Sequence, residues 1–352
     1  MTDEVLISAE RGVGRLRLNR PKAIHALTTD MCRAMSEALL GWRDDPAIQA
    51  IVIDHFEGRG FCAGGDVVML AKSGAGDASK ARDFFFAEYR LNHLLFTYPK
   101  TTVAIMDGIT MGGGVGIALP CSLRVATENT RLAMPETGLG LFPDVGGGWY
   151  LPRLPGRVGQ FMALTGARLD GSECVYLGLA THYVASANIH ELVERIHQAP
   201  DRIQGTLGGA AETAPEAKIA DNLPAITRLF ASDRLEEVVA ALEADGGDWA
   251  QKERATLGTK SPLSCKVSLR LLAEGANRAN FAAEMRAEYA LAGRVVQTHD
   301  FREGVHALLI HKHNQPEWDP ATPEGVTDDM LDALFAPLAK GEEWTPFPET
   351  GE

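Results

Sequence analysis

Paired cysteines are missing from this chain. Its five cysteines (Cys32, Cys62, Cys121, Cys174, Cys265) are widely spread, and none falls in a CxxC pair. That spacing argues against a disulfide framework or a zinc ribbon and fits a reducing compartment. Long apolar runs are missing too, so no membrane span is expected. Basic residues are outnumbered: 34 Lys and Arg stand against 47 Asp and Glu, a formal net charge of −13. General nucleic-acid binding, which rests on neutralising phosphates, is disfavoured by that balance. A small anionic ligand stays compatible, because backbone N–H groups or a local patch can hold phosphate on an acidic protein. Neither GxGxxG nor the phosphate loop GxxxxGK with a following Ser or Thr occurs, which weakens a nucleotide-binding reading. Met1-Thr2-Asp3-Glu4 is acidic and shows no secretory or basic amphipathic leader, so the expectation is a cytoplasmic protein.

What is present is an ordinary soluble composition, 45% apolar and 23% charged, over 352 residues. Residues 5–8 and 14–18 read as two strands around a turn, with alternation in Arg15-Leu16-Arg17-Leu18. Thr28 or Thr29 can cap a helix with apolar positions at Met31, Met35, Leu39 and Trp42. Residues 50–55 and 101–106 are compact apolar runs that predict buried strands, and 122–126 and 131–133 are strand-like. Strand, glycine loop and helix recur in that order, which implies parallel strands with crossover helices in an α/β fold. Beyond about residue 188 the pattern turns helical, with segments at 234–244, 262–274 and 282–296. Breaks are expected near 205–209 and 222–224, and the tail after Gln315 is expected to wrap the surface or fray. The division proposed is a core at 1–199 and a mainly helical region at 200–352.

Three glycine clusters each follow a strand-like or extended segment: Ala63-Gly64-Gly65-Asp66, Gly112-Gly113-Gly114 and Gly146-Gly147-Gly148. One cluster would mean only a tight turn. Several bare loops also let main-chain N–H groups approach a ligand oxygen, and two donors on one carbonyl oxygen stabilise an oxyanion.

The residues around these loops resemble the crotonase superfamily. Asn19-Arg20-Pro21-Lys22-Ala23 is similar to its start, Phe61-Cys62-Ala63-Gly64-Gly65-Asp66 to its first oxyanion loop, and Asp107-Gly108 through Gly114 to its second. Pro135-Glu136 with Gly138 and Gly140 is similar to its catalytic segment. The resemblance implies a β-β-α spiral with C-terminal helices and oxyanion donors at Gly65 and Gly113. Hydratases of the superfamily carry two glutamates; here the second is Glu136, whereas the first falls at Gly116. Asp144 instead stands where hydratases usually have glycine. The run from Met134 through Gly147, with Ser261-Pro262 and His299-Asp300-Phe301, is similar to the 3-hydroxyisobutyryl-CoA hydrolase branch.

That branch implies hydrolysis of a short 3-hydroxyacyl-CoA in valine catabolism, with Glu136, Asp144, Gly65 and Gly113 as the catalytic set. Lys22, Ala63, Gly64, Asp66, Gly112 and Phe142 are the expected substrate or CoA contacts, with Arg20 and Arg59 as weaker phosphate candidates. Asp144 precedes a helix and is also a natural N-cap, where the dipole would keep it ionised. No metal or separate cofactor is expected, since coenzyme A belongs to the substrate. The partner expected is the acyl-CoA, with a homo-oligomer possible. An enoyl-CoA hydratase or isomerase and a non-catalytic CoA-binding protein stay open as alternatives. His25, His55 and His93 read as packing residues, His311 and His313 as a solvated helix end, and Cys62 as a small core residue.

Overall fold

The computed structural model describes residues 2–348. Strands β1 (Val5–Glu10) and β2 (Val13–Leu18) form an antiparallel hairpin with Val5 opposite Leu18. Its turn is Arg11-Gly12, both at positive φ, a geometry whose twist matches the strands it joins. Helix α1 (Thr29–Arg43) begins at Thr28, whose hydroxyl accepts the Met31 N–H, and it buries Met31, Met35 and Leu39.

A strand–strand–helix unit then repeats. The first unit is β3 (Ala50–His55), β4 (Gly60–Cys62), α2 (Val67–Gly74) and α3 (Ser79–Phe96). The second is β5 (Thr101–Met106), β6 (Ile109–Met111) and α4 (Gly113–Ala118). The third is β7 (Leu123–Ala126), β8 (Arg131–Ala133), α5 (Gly147–Tyr150) and α6 (Val158–Thr165). Strand β9 (Leu169–Asp170), α7 (Gly171–Tyr176), β10 (His182–Tyr183) and α8 (Ile189–Gln198) complete this part. The first strand of each unit joins a six-stranded sheet, β1-β2-β3-β5-β7-β10, and the second a four-stranded sheet, β4-β6-β8-β9. All neighbours run parallel except β1 with β2 and β8 with β9. This is the β-β-α spiral that the resemblance implies.

Among the described residues eight α-helices follow: α9 (Ile203–Ala210), α10 (Ile219–Leu229), α11 (Leu235–Asp245), α12 (Asp248–Leu257), α13 (Pro262–Gly275), α14 (Phe281–Val295), α15 (His299–Val305) and α16 (Asp328–Phe335). Helix α14 packs on α3, and α13 on α5 and α6, so this helical part walls the spiral's inner core. A second apolar cluster joins Val52, Val103 and Val125 of the larger sheet to Leu192 and Ile196 of α8 and Leu207 of α9. Covered on both sides, β3 and β5 read as largely apolar runs, at 50–53 and 103–106.

Two expected breaks are absent. Helix α9 runs through Gly205, Gly208 and Gly209, because Ile203 and Leu207 on one of its faces are buried against the sheet. Pro224 lies inside α10, a helix held by buried Ile219, Ile226 and Leu229. In both, tertiary burial overrides a local propensity cost of about 1–3 kcal/mol per residue. The tail wraps: Trp344 is fully buried, and Arg90 Nε donates to the Thr345 carbonyl at 2.7 Å. Among the described residues no helix is long and apolar enough to cross a membrane.

Candidate active site

The first two glycine loops meet. A Cβ on Gly64 would lie 3.4 Å from the Met111 carbonyl and 3.6 Å from the Gly113 nitrogen. Leu27 fixes the first loop: its N–H donates to the Gly64 carbonyl at 2.7 Å and its carbonyl accepts Asp66 N–H at 3.1 Å. Both bonds flank Gly65, as in any parallel bridge, so the Gly65 N–H faces away from Leu27. Gly113 is the first residue of α4, where a helical N–H lacks an intrahelical partner. Gly112 has φ 48°, and a side chain there would press on Glu136 Oε1 at 3.1 Å.

Glu136 starts a single 3-10 turn, and its carbonyl accepts from Leu139 and Leu141. It is 5% exposed, and its Oε2 is buried without a hydrogen bond. Burial, reinforced by Asp144, holds the Glu136 carboxyl well above the usual range. Asp144 is equally buried, and its Oδ2 accepts the Tyr89 hydroxyl at 2.7 Å. Burial raises its pKa to about 6 against the opposing pull of the Tyr89 hydrogen bond. The capping expectation for Asp144 is therefore corrected. Gly146, at φ 92°, is the N-cap of the four-residue α5, and desolvation rather than a dipole governs the Asp144 side chain.

A third carboxylate was missed. Glu88 of α3 is 2% exposed, its Oε1 has no partner, and a Cβ on Gly113 would collide with it. Burial first, then Asp144 and Glu136, push its pKa far up. The signal was an acid inside an apolar helical stripe, with Ala81, Phe84, Phe85, Tyr89 and Leu95 on the same buried face. Asn92 shares that face and donates to the Gly116 carbonyl at 2.9 Å. At Gly116 a Cβ would collide with Val145 and sit 3.0 Å from Asn92 Nδ2, so no carboxylate fits there.

The other expected contacts divide. Lys22 is exposed in the short turn Pro21–Ala23. Ala63 gives its N–H to the Ile24 carbonyl, which leaves only its own carbonyl for a ligand. Asp66 caps α2 by accepting Met69 N–H and stands 3.6 Å from Arg20, which also pairs with Glu4. Phe142 is wholly buried. Arg59 is exposed. Cys62 is buried, with its thiol pushed up to about 12 by desolvation, and so is a packing residue. Among the described residues no group of three or more His, Cys, Asp and Glu side chains is arranged to hold a metal ion.

Beside the parallel spiral and the paired glycine loops stands a match of residues 13–335 to the family model enoyl-CoA hydratase/isomerase. The chain belongs to that family. Within it, the chain is 40% identical to a protein of Xenopus tropicalis named 3-hydroxyisobutyryl-CoA hydrolase, mitochondrial, over 96% of this chain and 90% of the relative. The human protein of the same name is 37% identical over 97% of this chain and 90% of its own length. Among solved structures, one titled a carnitinyl-CoA dehydratase from Mycobacterium thermoresistibile superposes with TM-score 0.94 at 38% identity, covering 99% of this chain and all of the other. One titled an enoyl-CoA hydratase from Rhodobacter sphaeroides gives TM-score 0.90 at 36% identity, covering 97% and 100%. The mitochondrial names of the relatives give no support to the cytoplasmic expectation.

Proposed function

We propose that this chain hydrolyses a short 3-hydroxyacyl-CoA thioester, with 3-hydroxyisobutyryl-CoA as the first substrate to test and valine catabolism as its setting. The observation that carries this reading is a set of three buried acids, Glu88, Glu136 and Asp144, beside two apposed glycine loops, with no room for an acid at Gly116. Hydration of a double bond in this family uses a glutamate at that position. The names of the curated relatives point the same way.

In this reading the thioester oxygen sits between the Gly65 and Gly113 N–H groups. Losing one such donor costs about 3–4 kcal/mol in barrier. Glu136, whose Oε2 lacks a partner, is the nucleophile or the base that activates water. Asp144, held by Tyr89, orients the water or the 3-hydroxyl. Glu88 supplies the third acid wall. A single turnover in ¹⁸O water has one decisive outcome: label in the Glu136 carboxylate requires a mixed anhydride opened at the Glu136 carbon, whereas label in the free acid alone fits activated water or an anhydride opened at the acyl carbon.

Hydration is the second reading, favoured by the titles of the two superposing structures. Thiol release from 3-hydroxyisobutyryl-CoA is the assay that tests hydrolysis, and loss of crotonyl-CoA absorbance tests hydration. Rapid loss of crotonyl-CoA absorbance without thiol release overturns the proposal. A passive CoA-binding role is disfavoured because unpaired buried acids cost stability and do nothing for binding alone.

A further inference from the structure

Away from the glycine loops, helices α11, α12 and the start of α13 enclose a cavity of about 710 Å³, closed on one side by the tail at Trp318–Pro323. Its walls are largely apolar: Leu235, Val239, Leu257, Pro262, Trp318 and Pro323 contribute. The volume lies in the range of small-molecule sites, roughly 300–1,000 Å³. Lys260 lines the same space. Its ammonium rests against the turn behind Glu136, 3.5 Å from where a Cβ of Gly138 would stand. Backbone continuity holds it there, since Ser261 N–H donates to the Thr137 carbonyl at 3.1 Å.

The Lys260 ammonium has no hydrogen-bond or ion-pair partner among the described residues, in a chain with 47 acidic side chains. Glu243 also lines the cavity, but it pairs with Arg254 at 3.2 Å. Burial disfavours the charged lysine, and Arg168 adds a like charge nearby. A half-buried cation under apolar walls is completed by one anionic head on an apolar chain.

We propose that this cavity is a second ligand site that takes a carboxylate with an apolar chain, with Lys260 pairing the carboxylate and the α11–α13 walls burying the chain. A monocarboxylate fits better than a phosphate ester, because one unpaired ammonium is available and the surroundings are apolar. The site is distinct from the acid cluster: none of Glu88, Glu136 and Asp144 lines the cavity, and Lys260 approaches Gly138 whereas Gly112 approaches Glu136 Oε1.

The test is calorimetric titration of the full chain with octanoate, with 1-octanol as the uncharged control. Octanoate is expected to bind at one saturable site, at least tenfold more tightly than octanol. Lys260→Met is expected to weaken octanoate at least tenfold and leave octanol unchanged, while Lys260→Arg restores octanoate. Val239→Trp, which fills the cavity without removing the charge, is expected to abolish binding of both. Thiol release by Lys260→Met without octanoate is expected to match the parent. No saturable octanoate binding, equal affinity in Lys260→Met, or displacement of octanoate by acyl-CoA in parent and variant alike would each overturn the site.

Discussion

Glu288 Oε2 accepts the main-chain N–H of Gly146 at 2.8 Å, across 142 residues of sequence. Its other oxygen accepts Gly148 N–H at 3.0 Å. One fully buried carboxylate of α14 thus grips both ends of the third glycine cluster, two residues beyond Asp144. Val145 between them has φ 53°, a strained value for a β-branched residue, and the grip on Gly146 helps hold it. Glu284 lies beside Glu288 and is answered by Arg278 at 3.3 Å.

Glu288→Gln keeps the shape but puts an NH₂ against one main-chain donor. A buried main-chain N–H left without its acceptor costs about 1–3 kcal/mol. We expect kcat to fall at least tenfold with KM little changed, because the loop carrying Asp144 and the third glycine cluster shifts while the Gly64-Gly65 and Gly112-Gly113 loops do not. Steady-state kinetics with the acyl-CoA substrate measure this, and an unchanged kcat would remove Glu288 from any role in positioning.

Asp144→Asn separates function from stability. A carboxyl raised by burial to about 6 binds its proton more tightly when folded. Stability is therefore greatest below the ordinary carboxylate range and declines as pH climbs through about 6, at a cost on the order of 3 kcal/mol above it. Asparagine carries no charge and still accepts from Tyr89. The variant is expected to melt higher than the parent at pH 8 and about equally at pH 4, while losing at least a hundredfold in kcat. A lower melting temperature at pH 8 would contradict the electrostatic account.

Activity should follow the same titration. If ionised Asp144 orients the water or the hydroxyl, kcat rises with pH through about 6. The limb is expected to vanish in Asp144→Asn. A parent profile flat from pH 5 to 7 would rule this out.

Glu136→Gln and Glu88→Gln test the acid cluster. Removing Glu136 is expected to cost about 10²–10⁴ in kcat, the span of general acid–base or nucleophilic help. Glu88→Gln is expected to lose less and to leave the Asp144 limb in place, since Glu88, its proton held by burial and then by Asp144 and Glu136, carries no charge for the substitution to remove. Full activity in Glu136→Gln would end the hydrolase mechanism as drawn.

Gly116→Ala probes the closed position. The added Cβ collides with Val145, and overpacking of this kind costs about 1–3 kcal/mol. A lower melting temperature without any gain in crotonyl-CoA hydration is expected; a stable variant would show that the position has room after all.

The fold was legible because its signals are local. Apolar runs at β3 and β5 and the Arg11-Gly12 turn each report their own surroundings, and their order leaves few arrangements open to parallel strands. The glycine loops were legible for a similar reason: a main-chain donor can approach an oxygen only where side chains are absent. Glu136 and Asp144 came with them, as neighbours in one matched segment. Helix breaks at Gly205–Gly209 and Pro224 were misread, because a propensity cost of a few kcal/mol is smaller than the burial that opposes it.

The sequence by itself determined the repeating strand–loop–helix order, the bare loops and the acids of the Glu136–Asp144 segment. Only the tertiary structure decided that Glu88 joins them, that Gly116 is walled by Val145 and Asn92, and that Glu288 holds the loop from α14. Proton affinity was decided there as well. A carboxylate's charge is set by what surrounds it in space, and the packing of distant helices removes water that favours the charged form, so that these acids hold their protons to higher pH.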